Sequence, residues 1–273
     1  MTHSRPTVHR LLEEHGLAAR REFGQNFVAD PNTVRRIAEL AGVGAGDTVV
    51  EIGPGLGSLT LALIETGASV IAVEVDPGMA AVAAEVVGDS ARIIEADALT
   101  LDWDELLVDV DGPVHVVANL PYNIGTTLII DILEQVPRVH HLLVLVQTEV
   151  AQRLAAEVGS SAYGIPSVLV ALHGTATIPA HVPPTVFVPR PKVDSALVRI
   201  VRHDEPPVEV DPRALARVVK AGFGQRRKMI RRSLKPLLAE NEIESAGVEP
   251  TRRAEELDLA AWASLARLLP EEP

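Results

Sequence analysis

Asn119-Leu120-Pro121-Tyr122 follows directly on an apolar run, Val114 to Ala118, and gathers groups suited to one difficult task. Asn119 offers a side-chain carbonyl. Leu120 offers a backbone carbonyl next to Pro121, which has no N–H to tie it up. Tyr122 offers a flat face on which a nucleobase can stack. The exocyclic amine of adenine is a poor nucleophile, because its lone pair is delocalised into the ring. Acceptors for its two hydrogens favour a pyramidal nitrogen, and this tetrapeptide supplies such acceptors. The plainer alternative is a strand-ending turn with an incidental aromatic. Aromatic residues make up only 3% of the chain, which counts against an accident at this spot.

A second stretch, Glu51-Ile52-Gly53-Pro54-Gly55-Leu56-Gly57, ends another apolar run at a carboxylate and opens a helical pattern. Dinucleotide loops of the form G-x-G-x-x-G hold a pyrophosphate at a helix N-terminus. Here the third glycine comes one residue early and Glu51 stands just before the loop. Acids around the loop repel a pyrophosphate and tolerate a sulfonium cation, which favours S-adenosylmethionine over NAD. Glu51 either orients the loop or meets the positive end of a methionine-like group. Glu74, at the end of the next apolar run, is placed to accept the ribose hydroxyls of an adenosine. Capping of the helix that follows falls to Asp76. Asp97 either accepts from an adenine amino group or serves a local turn. Phe187, on the proline-rich stretch Pro183 to Lys192, either closes the second face of a flipped base or anchors the core beneath its loop.

These residues need a frame that brings strand ends together. Apolar runs at Thr48–Ile52, Ser69–Val75, Ala91–Glu95, Val114–Ala118 and His141–Val146 alternate with helical patterns. That alternation predicts a doubly wound, mostly parallel α/β sheet with ligands at the carboxyl ends of its strands. Ser167 to His173 reads as helix, and Thr175–Ile178 and Ser195–Val201 as further strands. From Asp211 to Leu269 the chain reads as helix throughout, broken near Pro236 and Pro250. The expected division is 1–207 for the α/β domain and 208–273 for a small helical domain.

The chain has 273 residues, a formal charge of −12 and no cysteine. Thiolate metal sites, disulfides and cysteine nucleophiles are therefore excluded. No metal, no membrane span and a cytoplasmic setting are the simplest expectations. The net charge argues against polyanion binding, but its distribution does not. Between Arg213 and Lys235 the basic residues include Arg226, Arg227, Lys228, Arg231 and Arg232, with no acid among them. A local patch, rather than the total, governs phosphate binding. The alternative is a solvated helix face.

Gln25-Asn26-Phe27, the Glu51–Gly57 loop, Asn119–Tyr122, Gln147-Thr148-Glu149-Val150, Val182–Ser195 and Phe223–Lys228 together resemble the ribosomal RNA adenine N6,N6-dimethyltransferases. The likeness runs in order from about residue 20 to residue 235 and is nearest to the bacterial small-subunit branch of that family. It implies a class I methyltransferase fold, Rossmann-like, with a small all-helical C-terminal domain. It implies methyl transfer from S-adenosylmethionine, leaving S-adenosylhomocysteine, to two adjacent adenosines in the 3′-terminal hairpin loop of 16S rRNA in the 30S subunit. The expected cofactor residues are Gln25, Asn26, Val28, Glu51, Gly53, Gly55, Gly57, Glu74, Asp97, Ala98 and Asn119. The expected target-base residues are Asn119, Leu120, Pro121, Tyr122 and Phe187, with RNA held by the basic cluster and a monomeric enzyme. Rival readings are a large-subunit rRNA methyltransferase, a dehydrogenase, and a non-catalytic ribosome-assembly or transcription factor on the same fold.

Overall fold

The computed structural model describes residues 2–20, 24–121 and 124–270. The helices are α1 (Arg5–Glu14), α2 (Pro31–Ala41), α3 (Ser58–Glu65), α4 (Pro77–Val87), α5 (Trp103–Leu106), α6 (Gly125–Gln135), α7 (Thr148–Leu154), α8 (Ile165–His173), α9 (Pro212–Gly224), α10 (Ile230–Ser233), α11 (Glu240–Ser245) and α12 (Leu259–Ala266). The strands are β1 (Phe27–Val28), β2 (Thr48–Ile52), β3 (Ser69–Glu74), β4 (Arg92–Glu95), β5 (Val114–Asn119), β6 (Val139–Gln147), β7 (Gly174–Val182), β8 (Phe187–Val188) and β9 (Ser195–Arg202).

Seven strands form one sheet in the order β4-β3-β2-β5-β6-β9-β7. The pairs β4–β3, β3–β2, β2–β5 and β5–β6 are parallel, whereas β9 runs antiparallel to β6. This is the doubly wound, mostly parallel sheet that the alternation of strands and helices predicts. Its central strands are apolar on both faces: Val49, Val50, Val116, Val117, Val144 and Leu145 are all buried. Such runs have no polar face to turn to water, so helices must cover both sides.

Helix starts follow local chemistry. Asp30 caps α2 by accepting from Thr33 N, and Pro31 fills the first helical position. Asp76 caps α4 through Gly78 N and Met79 N, as expected of it. The sequence patterns did not disclose one small element. β1 and β8 form a two-stranded antiparallel ribbon, with Phe27 opposite Val188 and Val28 opposite Phe187. Two-residue strands carry no alternation to read.

Contacts divide the chain into two compact units, Met1–Ala151 with Thr177–Val201, and Gln152–Ala176 with Arg202–Pro273. The second unit gathers Tyr163, Val168 and Leu172 with Leu215, Val218, Ile230 and Trp262 in one apolar core. Within it α9 lies so close to α12 that a Cβ on Gly222 would collide with the Trp262 ring. Among the described residues, no helix is long and apolar enough to cross a membrane.

Candidate cofactor and target-base site

A cavity opens at the carboxyl ends of β2, β3, β4 and β5, all within the first unit. Its walls include Gln25, Asn26, Val28, Glu51, Gly53, Gly55, Glu74, Asp97, Ala98, Asn119, Leu120 and Pro121. These are strand ends and the loops that leave them, so parallel topology alone explains why residues 25 to 121 converge. Gly57 stands outside the cavity. Its φ of +81° turns the chain into α3, and a Cβ there would press on Val86 at 3.2 Å. Tyr122 lies outside the described residues.

Glu74 is the best-anchored acid. One carboxylate oxygen accepts from Gly55 N at 3.0 Å and the other from Asp76 N at 3.0 Å. A carboxylate has about four acceptor positions, so both oxygens retain capacity for hydroxyl donors. Burial raises its pKa, opposed by the N–H groups of Asp76, Gly55 and Val75 and reinforced by the charge of Asp76.

Glu51 is different. It is 1% exposed, and its Oε2 is buried with no hydrogen-bond partner among the described residues. Burial pushes its carboxyl up to about 8; Thr60 opposes this and Glu74 adds to it. A buried oxygen without a partner on a cavity wall is a natural acceptor for a ligand donor. Gly53, at φ +72°, leaves open space where a side chain would stand. The unpartnered acceptor and the bare backbone beside it fit a ligand with a cationic end and a broad flat body.

Asn119 sits at the end of β5 with its amide orientation fixed. Its Nδ2 donates to Asn26 O at 2.8 Å. Asn26 O can only accept, so the atom facing it must be the NH2 group, and Oδ1 remains an acceptor. Asn26 in turn donates from Nδ2 to Gly24 O at 3.0 Å. Leu120 N donates to Leu145 O, while Pro121 O closes the turn onto Ile124 N and Gly125 N. No hydrogen bond to Leu120 O is made among the described residues. Asn119 and Leu120, which carry these two acceptors, both line the cavity.

Asp97 is exposed and accepts from Leu99 N at 2.9 Å, which is the local turn role, and it also lines the cavity. Gln25 accepts from Arg20 N at 2.8 Å and reaches Asp76 at 3.5 Å.

Two expectations need correction. Phe187 does not reach the cavity. Its ring is 0% exposed, in a cluster with Val28, Val34, Ile37, Val117 and Leu197. Strand pairing with β1 turns it inward, so of its two possible roles the structure displays the core anchor. The basic cluster is also less free than its sequence neighbourhood implies. Arg226 pairs with Glu255 at 2.8 Å and donates to Ser161 O, and Arg231 pairs with Glu240 at 2.7 Å. The fold brings in acids from later in the chain. Arg227, Lys228 and Arg232 remain exposed.

Several wall residues escaped the sequence reading: His3, Val8, Phe27, Leu56, Ser58 and Val75. Phe27 had a signal, since it lies between two residues already singled out. Val75 follows Glu74 and is 41% exposed, an apolar ledge at the cavity mouth. Nothing in the sequence marks His3 or Val8. Among the described residues, no group of three or more His, Cys, Asp or Glu could hold a metal ion.

A family model described as ribosomal RNA adenine dimethylase matches residues 16–271. The ribosomal RNA small subunit methyltransferase A of Magnetococcus marinus is 45% identical over 261 residues, covering 94% of each chain. Its counterpart in Nocardia farcinica is 44% identical over 274 residues, covering 95% of this chain and 92% of that protein. A dimethyladenosine transferase from Plasmodium falciparum shares the fold, with a TM-score of 0.72 at 23% identity over 86% of this chain and 94% of that one. The 23S rRNA methyltransferase ErmE superposes with a TM-score of 0.69 at 27% identity, over 89% of this chain and 99% of that one. With the match running nearly end to end, the chain belongs to the ribosomal RNA adenine dimethylase family.

Proposed function

We propose that this protein transfers methyl groups from S-adenosylmethionine to the N6 amines of two adjacent adenosines in the 3′-terminal hairpin loop of 16S rRNA. It acts as a monomer on the small ribosomal subunit, in the cytoplasm. Family membership and the names of relatives at 44–45% identity support this reading. The observation that carries the chemistry is the Asn119–Asn26 hydrogen bond. With the Asn119 NH2 group held there, the side-chain carbonyl of this cavity-lining residue is left as an acceptor, and Leu120 follows it in the chain.

S-adenosylmethionine, when bound, supplies an electrophilic methyl group on a sulfonium. The residues that would hold it are Glu74 at the ribose, Asp97, Ala98 and Val75 at the adenine, and the Gly53–Gly55 backbone with Glu51 at the methionine end. Asn26, Val28 and Gln25 complete that wall. Asn119 Oδ1 and Leu120 O accept from the adenine N6 hydrogens and direct the nitrogen lone pair. Pro121 stiffens the loop, and Tyr122 supplies the stacking face. No dedicated base is required, because the proton can leave once the nitrogen carries the charge. Positioning and fixed dipoles provide most of the acceleration. Exposed Arg227, Lys228 and Arg232, on the helical part beyond residue 208, contact rRNA phosphates. Methylation of large-subunit rRNA is the second reading, supported by the likeness to ErmE.

Labelled methyl transfer to unmodified small subunits, followed by mapping of the modified nucleotides, tests the proposal. Transfer to the 3′-terminal hairpin supports it; transfer to large-subunit rRNA alone, or none, refutes it. In the same assay Asn119→Ala should lower turnover about 100- to 1,000-fold, the scale for losing a transition-state acceptor or donor, and near-normal turnover would remove Asn119 from its role. Glu51, protonated near neutrality in the free protein with a pKa of about 8, should ionise when it meets a cation. Cofactor binding at pH 7 is then expected to release up to about one proton, read by calorimetry in two buffers of different ionisation enthalpy. Glu51→Gln should abolish the release, and buffer-independent heats in the unaltered protein would contradict the assignment. Neutralising Arg227, Lys228 and Arg232 together should reduce the salt dependence of subunit binding by about one logarithmic unit per lost phosphate contact. A slope unchanged from the parent protein would make the patch a solvated face.

A further inference from the structure

Residues 2–14 precede the stretch matched by the family model, which begins at residue 16. The segment is nevertheless fastened to the cavity at two points. At one end, His3 is 6% exposed. Its backbone N–H donates to Ser58 Oγ at 2.9 Å, and its Nε2 lies 2.8 Å from Leu56 O. Leu56 O can only accept, so Nε2 carries a hydrogen and donates. Both partners belong to the glycine loop and the start of α3. Two residues on, at the start of α1, Arg5 Nη2 donates to Thr185 O at 2.7 Å and Phe187 O at 3.2 Å. Phe187 pairs with Val28 across the β1–β8 ribbon, and Val28 lines the cavity.

Beyond these fixings α1 lays Val8 and Leu11 into an apolar cluster with Phe27, Leu56, Met79 and Val188. Ten residues are too few for a helix to persist alone in water, so α1 holds its shape through this docking. His3 and Val8 themselves line the same cavity as Glu51, Glu74 and Asn119. The glycine loop forms one wall and the β1–β8 ribbon another. The two walls meet where the Phe27 ring packs on Gly55, and the N-terminal segment touches both.

We propose that residues 2–14 are a strap that sets the spacing of the glycine loop and the β1–β8 ribbon around the cofactor, with His3 and Arg5 as positioning residues at its two fixings. The proposal rests on the reading of this cavity as the S-adenosylmethionine site. The test is calorimetric binding of S-adenosylhomocysteine to the full chain and to His3→Ala, Arg5→Ala, Arg5→Lys and Arg10→Ala. Arg10 lies on the same helix, exposed and paired with Glu14; its charge is felt at His3, but it makes no hydrogen bond at either fixing among the described residues. His3→Ala and Arg5→Ala are expected to weaken binding about tenfold, the scale of one hydrogen bond. Arg5→Lys should recover part of the loss, and Arg10→Ala should bind as the parent does. In steady-state assays KM for S-adenosylmethionine should rise with kcat held. A mere loss of folded protein would instead lower apparent kcat and binding stoichiometry at constant affinity, and that result would overturn the strap. So would unchanged affinity in His3→Ala and Arg5→Ala, or an equal loss in Arg10→Ala. If the parent protein itself bound no S-adenosylhomocysteine, the cavity reading would fall first, separately from the strap.

Discussion

One buried carboxylate holds the site in register. Glu74 ends β3 and ties together two backbone segments that no sheet bond joins there: the glycine loop through Gly55 N, and the start of α4 through Asp76 N. Without an acceptor at that point, both N–H groups would be buried and unpaired, at a cost of about 1–3 kcal/mol each. The loop's geometry and the acid's position therefore specify one another. Asp76 extends the arrangement by capping α4 and reaching Gln25. An acid anchored in this way is pre-organised, so a ligand hydroxyl meets an acceptor that has no rotamer left to lose.

Glu51 shows the reverse economy. A carboxyl 1% exposed, with one oxygen unpartnered, is a destabilising feature in a protein that held nothing. Glu74 shares the cavity and adds to the upward shift of the Glu51 carboxyl. A cationic ligand removes both penalties together. The same pair disfavours a pyrophosphate, so electrostatics selects between two cofactor classes that use similar folds. Such strain at a functional site is compatible with a rigid sheet beneath it, where Val49, Val50 and Val144 are 0% exposed.

The core of this arrangement was legible in the sequence because it is local. Apolar runs of five to seven residues marked β2 to β6, and Asp30, Asp76 and the glycines marked where helices begin. Glu51, Glu74, Asp97 and Asn119 followed, since parallel strands must present their ends together. What stayed hidden is tertiary. The β1–β8 ribbon has two residues per strand, too few for a pattern, and its pairing is what turns Phe187 into the core. Arg226 and Arg231 look free beside their neighbours, yet Glu255 and Glu240 fold back onto them. His3 and Arg5 bond mainly to backbone carbonyls far along the chain, and carbonyls have no residue signature.

In the proposed cofactor site the ribose lies against Glu74. Calorimetry with S-adenosylhomocysteine and its 2′-deoxy and 3′-deoxy analogues, on the parent protein and on Glu74→Gln, measures that contact directly. Each missing hydroxyl should weaken binding to the parent by roughly 10- to 100-fold, as for a charged hydrogen bond of ~1.5–3 kcal/mol, and should matter little to Glu74→Gln. Equal losses in both proteins would mean that the hydroxyls are held elsewhere.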